Sequence, residues 1–402
     1  MNAKPIKTLD SLRGILCFLV MWLHFTLSNT LDFYPEDQLL VTLQVDTARP
    51  AVDGFFCLSG FVLSYCYQKK IFESFEHQPT SNTKRLLLSY WVNRLARIYP
   101  LILLVVALNA FIQQSCKGVL QELFLVLIWD HDYFEDNSTV IIYGLFPLWS
   151  MCVEVLLYLI FPILMRITYK FQKYLGIKTL IALIIIFPIC TIIFGSFSDS
   201  TRGYFPIEGF PALFRGFQGF FVGICFYQLY LMEDKFSTHG YLYDLMGFVA
   251  IAFYLGMCML LDKTHYFLIC IYFLVYALAK AESLLKKVFE IEIFIHLGKI
   301  SYAMYLLHYS LNKALYKLAM RYNYKKSEDN FRDFVIELGY FSFVIMISTL
   351  VYYYYEIPTR NLIRKLWIKF DKYLYENKAN VQAKIEDQMK DLESLQQELI
   401  QK

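Results

Sequence analysis

Charge is scarce in this chain: only 18% of its 402 residues are Asp, Glu, Lys or Arg, against about a quarter in an ordinary soluble domain. The formal net charge is +3. That leaves no basic excess to grip a phosphate backbone, and no nucleic-acid partner is expected. Cysteine occurs nine times but never at CxxC spacing, and Cys17, Cys57, Cys152, Cys190, Cys225, Cys258 and Cys270 sit inside apolar runs. This pattern argues against a thiolate metal site and a disulfide framework, and reads as small core hydrophobes. No metal is expected. The first apolar run lacks a small-residue cleavage site and is followed by more apolar runs, so a cleaved signal peptide is not expected either.

What fills the chain instead is apolar and aromatic. Hydrophobic residues make up 57%, with 36 Phe and 32 Tyr, and the mean hydropathy is +0.42. Such a composition suits lipid-facing and interfacial surface. A bilayer core of roughly 30 Å needs about 20 mostly apolar residues per helix. By that measure ten spans are expected: 11–29, 48–67, 90–113, 143–166, 178–198, 208–231, 242–261, 266–281, 299–320 and 334–356. The stretch 119–129 (VLQELFLVLIW) is too short, contains Gln121 and Glu122, and reads as an interfacial or re-entrant piece.

Orientation follows the basic residues. The N-terminus (Lys4, Lys7), the loops 68–89, 167–178 and 282–298, and the stretch after the last span (Arg360, Arg364, Lys365, Lys369) are basic. The loops 30–47 and 130–136 are acidic, and 321–333 is mixed. Ten spans with both termini cytoplasmic satisfy this pattern, whereas an eleventh at 119–129 would put most later basic loops outside. The expected fold is therefore an all-α membrane protein with about ten transmembrane helices. Its transmembrane domain covers 1–370, and residues 376–402 form a cytoplasmic tail. Ile385, Met389, Leu392, Leu395 and Leu399 make one stripe along that tail, as in a short amphipathic or coiled-coil helix. Self-association through 381–402 and packing on the rest of the protein both fit.

Ionisable residues inside the expected spans are costly and mark function by default. They are Arg13, His24, Asp53, Arg94, Arg97, Glu154, Arg215, His308 and Lys313. In LDSLRGILCFLVMWLHF, Arg13 and His24 are eleven residues apart. At about 100° per residue they share a helix face, with about 16 Å between them along the axis. Arg94 and Arg97 (YWVNRLARIYP) share a face at the cytoplasmic mouth of the third span. Two adjacent guanidiniums suit a multiply phosphorylated ligand; lipid headgroups are the alternative. Glu154 lies mid-span in PLWSMCVEVLLYLIFP. It has two readings: a carboxylate that pairs with His24 and tunes it as a base, or helix–helix glue to a partner such as Arg215.

Seven segments, in order, match one family. LDSLRGILCFLVMWLH, DGFFCLSGFVLSY, NRLARIYP, LWSMCVEVLLYLIFP, FRGFQGFFVG, LGKISYAMYLLHYSL and YYYEIPTRNLIRK resemble the signatures of the acyltransferase-3 family of polytopic membrane acyltransferases. The resemblance spans about residues 8–365. It implies O-acylation of surface glycans such as lipopolysaccharide O-antigen, capsule or exopolysaccharide, in a bacterial inner membrane. The donor it implies is a cytosolic acyl-CoA, usually acetyl-CoA, used as a substrate; no permanently bound cofactor is expected. It also implies His24 as the catalytic histidine, and Arg13, Arg94 and Arg97 as ligands of the CoA phosphates. The acceptor is a glycan or lipid-linked glycan, and membrane lipid surrounds the site. Many longer relatives continue into a hydrolase-like domain with a nucleophilic serine, whereas this sequence continues into its short polar tail. Ser59 in CLSGF, with no base beside it in sequence, reads as a small packing residue. Asp53 and Gly54 are expected to shape the acceptor end, and His308 either touches substrate or makes a structural hydrogen bond.

Two other classes compete. A transporter or flippase of a glycan or small anionic solute would often show paired, broken helices in matching halves, and no such halves stand out. A scaffold acting only through the tail leaves His24 and the arginines unexplained.

Overall fold

The computed structural model describes residues 4–27, 50–76, 81–114, 119–125, 127–129, 145, 147–171, 176–196, 209–233, 240–260, 267–322 and 330–374. Among them there are helices and turns but no strand. The helices are α1 (Lys7–Leu27), α2 (Ala51–Glu76), α3 (Ser81–Gln113), α4 (Val119–Phe124), α5 (Leu148–Phe171), α6 (Ile177–Ser196) and α7 (Gly209–Glu233). After these come α8 (Gly240–Leu260), α9 (Phe267–Lys280), α10 (Leu284–Phe289), α11 (Glu292–Arg321) and α12 (Asn330–Val351). A π-helical turn, Tyr352–Glu356, follows α12, and the helix then continues as α13 over 357–374.

Each of the ten apolar stretches read from the sequence overlaps one of these helices within the described residues. Five described stretches are long and apolar enough to cross a bilayer: Lys7–Phe25, Thr83–Gln113, Leu148–Phe171, Gly209–Met232 and Val335–Leu374. Shorter apolar helices occupy Lys178–Cys190, Gly240–Gly256 and Leu268–Lys280. The protein is thus a multi-pass, all-helical membrane protein. The polar side chains of α2 and α11 account for their absence from these apolar stretches. Asp53 and Gln68 on α2, and His308, Asn312 and Lys313 on α11, are buried against neighbouring helices rather than exposed to lipid. The stretch 119–129 holds only α4 and a single 3₁₀ turn, Leu127–Trp129. Six residues of α-helix rise about 9 Å, too little to cross. The buried Glu122 accepts a hydrogen bond from the Leu145 N–H at 2.8 Å. The acidic loops 30–47 and 130–136 and the tail 376–402 lie outside the described residues. Of the described cysteines Cys17, Cys57, Cys152, Cys225 and Cys270 are buried as expected, but Cys190 is exposed on α6.

Two helix pairs, each closed by glycine, position everything that follows. α1 packs most extensively on α11. A Cβ on Gly14 would lie 2.5 Å from the Gly298 nitrogen, and one on Gly298 would lie 2.1 Å from the Asp10 carbonyl oxygen. The two backbones meet there because no side chain intervenes. Beyond the crossing, Cys17 Sγ donates to the Ser301 carbonyl at 3.2 Å and His24 reaches His308, both 284 residues apart in sequence. A constant offset means that α1 and α11 run parallel and in step. α2 and α7 repeat the device: a Cβ on Gly60 would lie 1.9 Å from the Phe220 carbonyl oxygen, and one on Gly223 would lie 2.1 Å from that of Cys57. Their polar partners, Asp53–Arg215 and Gln68–Gln228, are offset by 162 and 160 residues, so this pair is parallel too.

Candidate active site

A cavity opens between α1, α2, α3, α5 and α11, and Arg13, Ser59, Arg94, Arg97, Glu154 and Tyr158 contribute its polar lining. The cation candidates from two separate sequence segments therefore share one site. Arg13 is held from below by Asp10, one turn earlier, at 2.9 Å. Arg94 donates to the Tyr67 hydroxyl at 3.2 Å. Its guanidinium carbon lies 5.3 Å from the Tyr67 ring centroid and 5.9 Å from that of Tyr158, within cation–π range. Arg97 lines the same cavity and has no hydrogen-bond or ion-pair partner among the described residues. Neither Arg94 nor Arg97 is paired with a carboxylate, so both keep charge and donors for an anion.

Glu154 does not pair with His24. Its carboxylate accepts from Ser59 Oγ at 3.0 Å and from the Tyr158 hydroxyl. The reason is which helices touch: α5 packs on α2 and α7, and Tyr158 stands one turn along α5 from Glu154. Arg215 is not its partner either. It grips Asp53 in a bidentate ion pair, Nε–Oδ1 2.9 Å and Nη2–Oδ2 2.6 Å, with side chains 4% and 0% exposed. The guanidinium also lies over the Trp149 ring, 5.0 Å from its centroid. Asp53 is therefore a buried counter-ion within the α2–α7 pair. Ser59, read from sequence as packing, is a polar group of the cavity with a carboxylate beside it.

His24 finds another histidine. Its Nδ1 lies 2.9 Å from His308 Nε2, with the rings stacked at a centroid distance of 5.1 Å. His308 Nδ1 lies 3.2 Å from the Met304 carbonyl oxygen, which can only accept. The His308 proton is thus on Nδ1 and its Nε2 is the acceptor for His24 Nδ1–H. The neutral His24 imidazole then carries its lone pair on Nε2. Asn312 Nδ2 donates to the His24 carbonyl at 3.2 Å and the Tyr340 hydroxyl donates to that of His308 at 2.9 Å, so both backbones are held where the rings meet.

The histidine pair does not line the cavity. Tyr305 stands between them. It is part of the cavity wall, and its ring centroid is 5.9 Å from that of His308. Its hydroxyl shares a 2.7 Å hydrogen bond with Ser150. The four charged cavity candidates (Arg13, Arg94, Arg97 and Glu154) thus converge, while His24 sits one aromatic layer deeper. Sequence reasoning missed Tyr158, although its i+4 spacing from Glu154 was a usable signal. It also missed Tyr305, for which no local pattern exists.

Fold and site together define a multi-pass helical membrane protein with an arginine-lined cavity beside a histidine pair, His308 of which is buried. The chain belongs to the acyltransferase-3 family, whose profile, described as an acyltransferase domain, matches residues 6–356. Curated relatives include two Staphylococcus aureus proteins, from strains COL and N315, each named "Putative O-acetyltransferase". Each is 25% identical over 286 residues, a match covering 65% of this chain and 45% of the relative. The chain therefore spans just under half the length of these relatives. No solved structure matches it.

Proposed function

We propose that the protein is an integral membrane O-acyltransferase that moves an acyl group, acetyl for preference, from cytosolic acyl-CoA to a hydroxyl of a cell-surface glycan. The observation that carries this reading is the convergence of Arg13, Arg94 and Arg97 on one cavity, two of them without a carboxylate. In this reading ten spans cross a bacterial inner membrane with both termini in the cytoplasm. The parallel pairs α1–α11 and α2–α7 agree with it, since the first and ninth spans, and the second and sixth, then cross in the same direction.

The donor's phosphates would lie on Arg13, Arg94 and Arg97, with its thin pantetheine arm directed past Tyr305 toward His24. Glu154, Ser59 and Tyr158 belong to the donor end, where the carboxylate orients two hydroxyls. At the inner end His24 Nε2 takes the proton of the acceptor hydroxyl as its oxygen attacks the thioester carbonyl carbon. The C–S bond breaks, and the imidazolium returns the proton to the departing thiolate. His308 keeps His24 in the tautomer with its lone pair on Nε2, as a carboxylate does in other imidazole bases.

The test supplies membranes with and without the protein with acetyl-CoA labelled in the acetyl group. Label in surface glycan only when the protein is present supports the reading. No transfer from acetyl-CoA or any other acyl-CoA overturns it.

A further inference from the structure

From Tyr352 to Leu374 the chain stays against the protein. The π-turn and α13 together run antiparallel along α3, fastened at three points. The Tyr355 hydroxyl donates to the Pro100 carbonyl at 2.9 Å, Trp367 Nε1 donates to Ser89 Oγ at 3.0 Å, and Arg85 Nε donates to Asp371 at 2.6 Å. As one helix advances from 355 through 367 to 371, the other retreats from 100 through 89 to 85. This register sets Arg360 and Arg364 beside the segment that carries Trp91, Arg94 and Arg97. Arg364 accordingly lies within electrostatic range of Arg360, Arg94 and Arg97.

Four buried donors in this seam have no acceptor among the described residues: Trp91 Nε1, Arg94 Nε, Arg360 Nε and Arg364 Nε. Carboxylates do not meet the need. Asp371 is taken by Arg85, and the buried Glu356 forms one ion pair, with Arg360 at 3.6 Å, and faces Arg97, so a single carboxylate stands against four guanidiniums. Arg364 has no ion pair among the described residues. Like charges gathered beside unsatisfied donors destabilise a protein unless a multivalent anion joins them.

We propose that α13 is the outer wall of a polyphosphate site, in which Arg360 and Arg364 bind phosphate oxygens together with Arg94 and Arg97. The inference rests on the acyl-CoA reading for the identity of the ligand, a nucleotide carrying several phosphates, but its geometry is separate from that reading. Anionic lipid headgroups present the same phosphate chemistry, so the experiment separates the two sources.

Purified full-length protein is titrated calorimetrically with CoA and, separately, with inorganic pyrophosphate. Titrations are made first in neutral detergent and then in nanodiscs containing phosphatidylglycerol. Arg360→Gln with Arg364→Gln is expected to raise both dissociation constants at least about ten-fold in either setting, since a hydrogen bond to a charged group contributes about that much. Lys369→Gln, an equal charge change at an exposed position of the same helix, should leave them unchanged. The thermal midpoint without ligand checks the fold. If the double variant does not fold, each single variant decides the matter, with about a ten-fold rise expected. Wild-type affinity for CoA in a folded variant overturns the inference, as does an effect confined to phosphatidylglycerol nanodiscs. Pyrophosphate binding that depends on the two arginines, in a protein that ignores CoA, upholds the phosphate site and overturns the acyl-CoA reading instead.

Discussion

His24 Nδ1 and His308 Nε2 lie 2.9 Å apart, and the Met304 carbonyl beyond them dictates which nitrogen carries which proton. A histidine in the first helix is thus oriented by a residue 284 positions away, on a helix brought alongside by two glycines. Removing the acceptor without removing the base tests that relationship. His308→Leu should lower kcat by about one hundred-fold, the scale of a general base held in the wrong tautomer, with the donor KM unchanged. His308→Gln offers an amide oxygen at a similar reach and should recover most of the loss. Steady-state kinetics in detergent, with acetyl-CoA varied, separates the two parameters.

Arg94→Ala with Arg97→Ala should act in the opposite way, raising the KM for the CoA donor at least about ten-fold and leaving kcat nearly intact. The same rate assay reads it. An unchanged KM would return both arginines to the lipid headgroups.

The glycine crossing sets the histidine register, so it should be intolerant of bulk. Gly298→Val places methyl groups against the Asp10 carbonyl, which a bare Cβ already approaches to 2.1 Å. Because that neighbour is backbone, it cannot swing aside. Overpacking of this kind costs about 1–3 kcal/mol, and the unfolding midpoint in detergent should fall with it. Gly256→Ala, at a glycine with nothing within 4 Å of its would-be Cβ, should leave the midpoint unchanged.

The Asp53–Arg215 pair is buried on both sides. Asp53→Ala strands a guanidinium and should destabilise by about 3–5 kcal/mol. Adding Arg215→Met to Asp53→Leu removes both charges and should restore most of the midpoint. A double variant no better than the single one would mean the pair contributes through something other than mutual neutralisation.

Among the described residues, the helices under the ten expected spans were legible in the sequence because each is largely a run of apolar residues. The cavity was partly legible. Arg13, Arg94 and Arg97 sit near the same ends of the apolar spans read from the sequence, and shared depth alone brings them close once the helices bundle. Partner choice was not legible. Glu154 accepts from Ser59 rather than from His24 because α5 neighbours α2, and which helix lies beside which is decided by shape. Gly14 against Gly298, Gly60 against Phe220 and Gly223 against Cys57 are contacts between backbones far apart in sequence, and no periodicity within either helix encodes them. The same holds for α13. Its arginines read as a basic flank until the register along α3 set them beside Trp91 and Arg94.

The central claim is that His24 is the base of an acyl transfer fed by a donor bound at the arginine cavity. Purified protein in liposomes, given acetyl-labelled CoA and a glycan acceptor, tests it most directly when wild type is compared with His24→Ala at equal CoA occupancy. The account requires label on the glycan with wild type and a loss of at least about one hundred-fold with His24→Ala. Full transfer by a His24→Ala protein that binds CoA normally would contradict it.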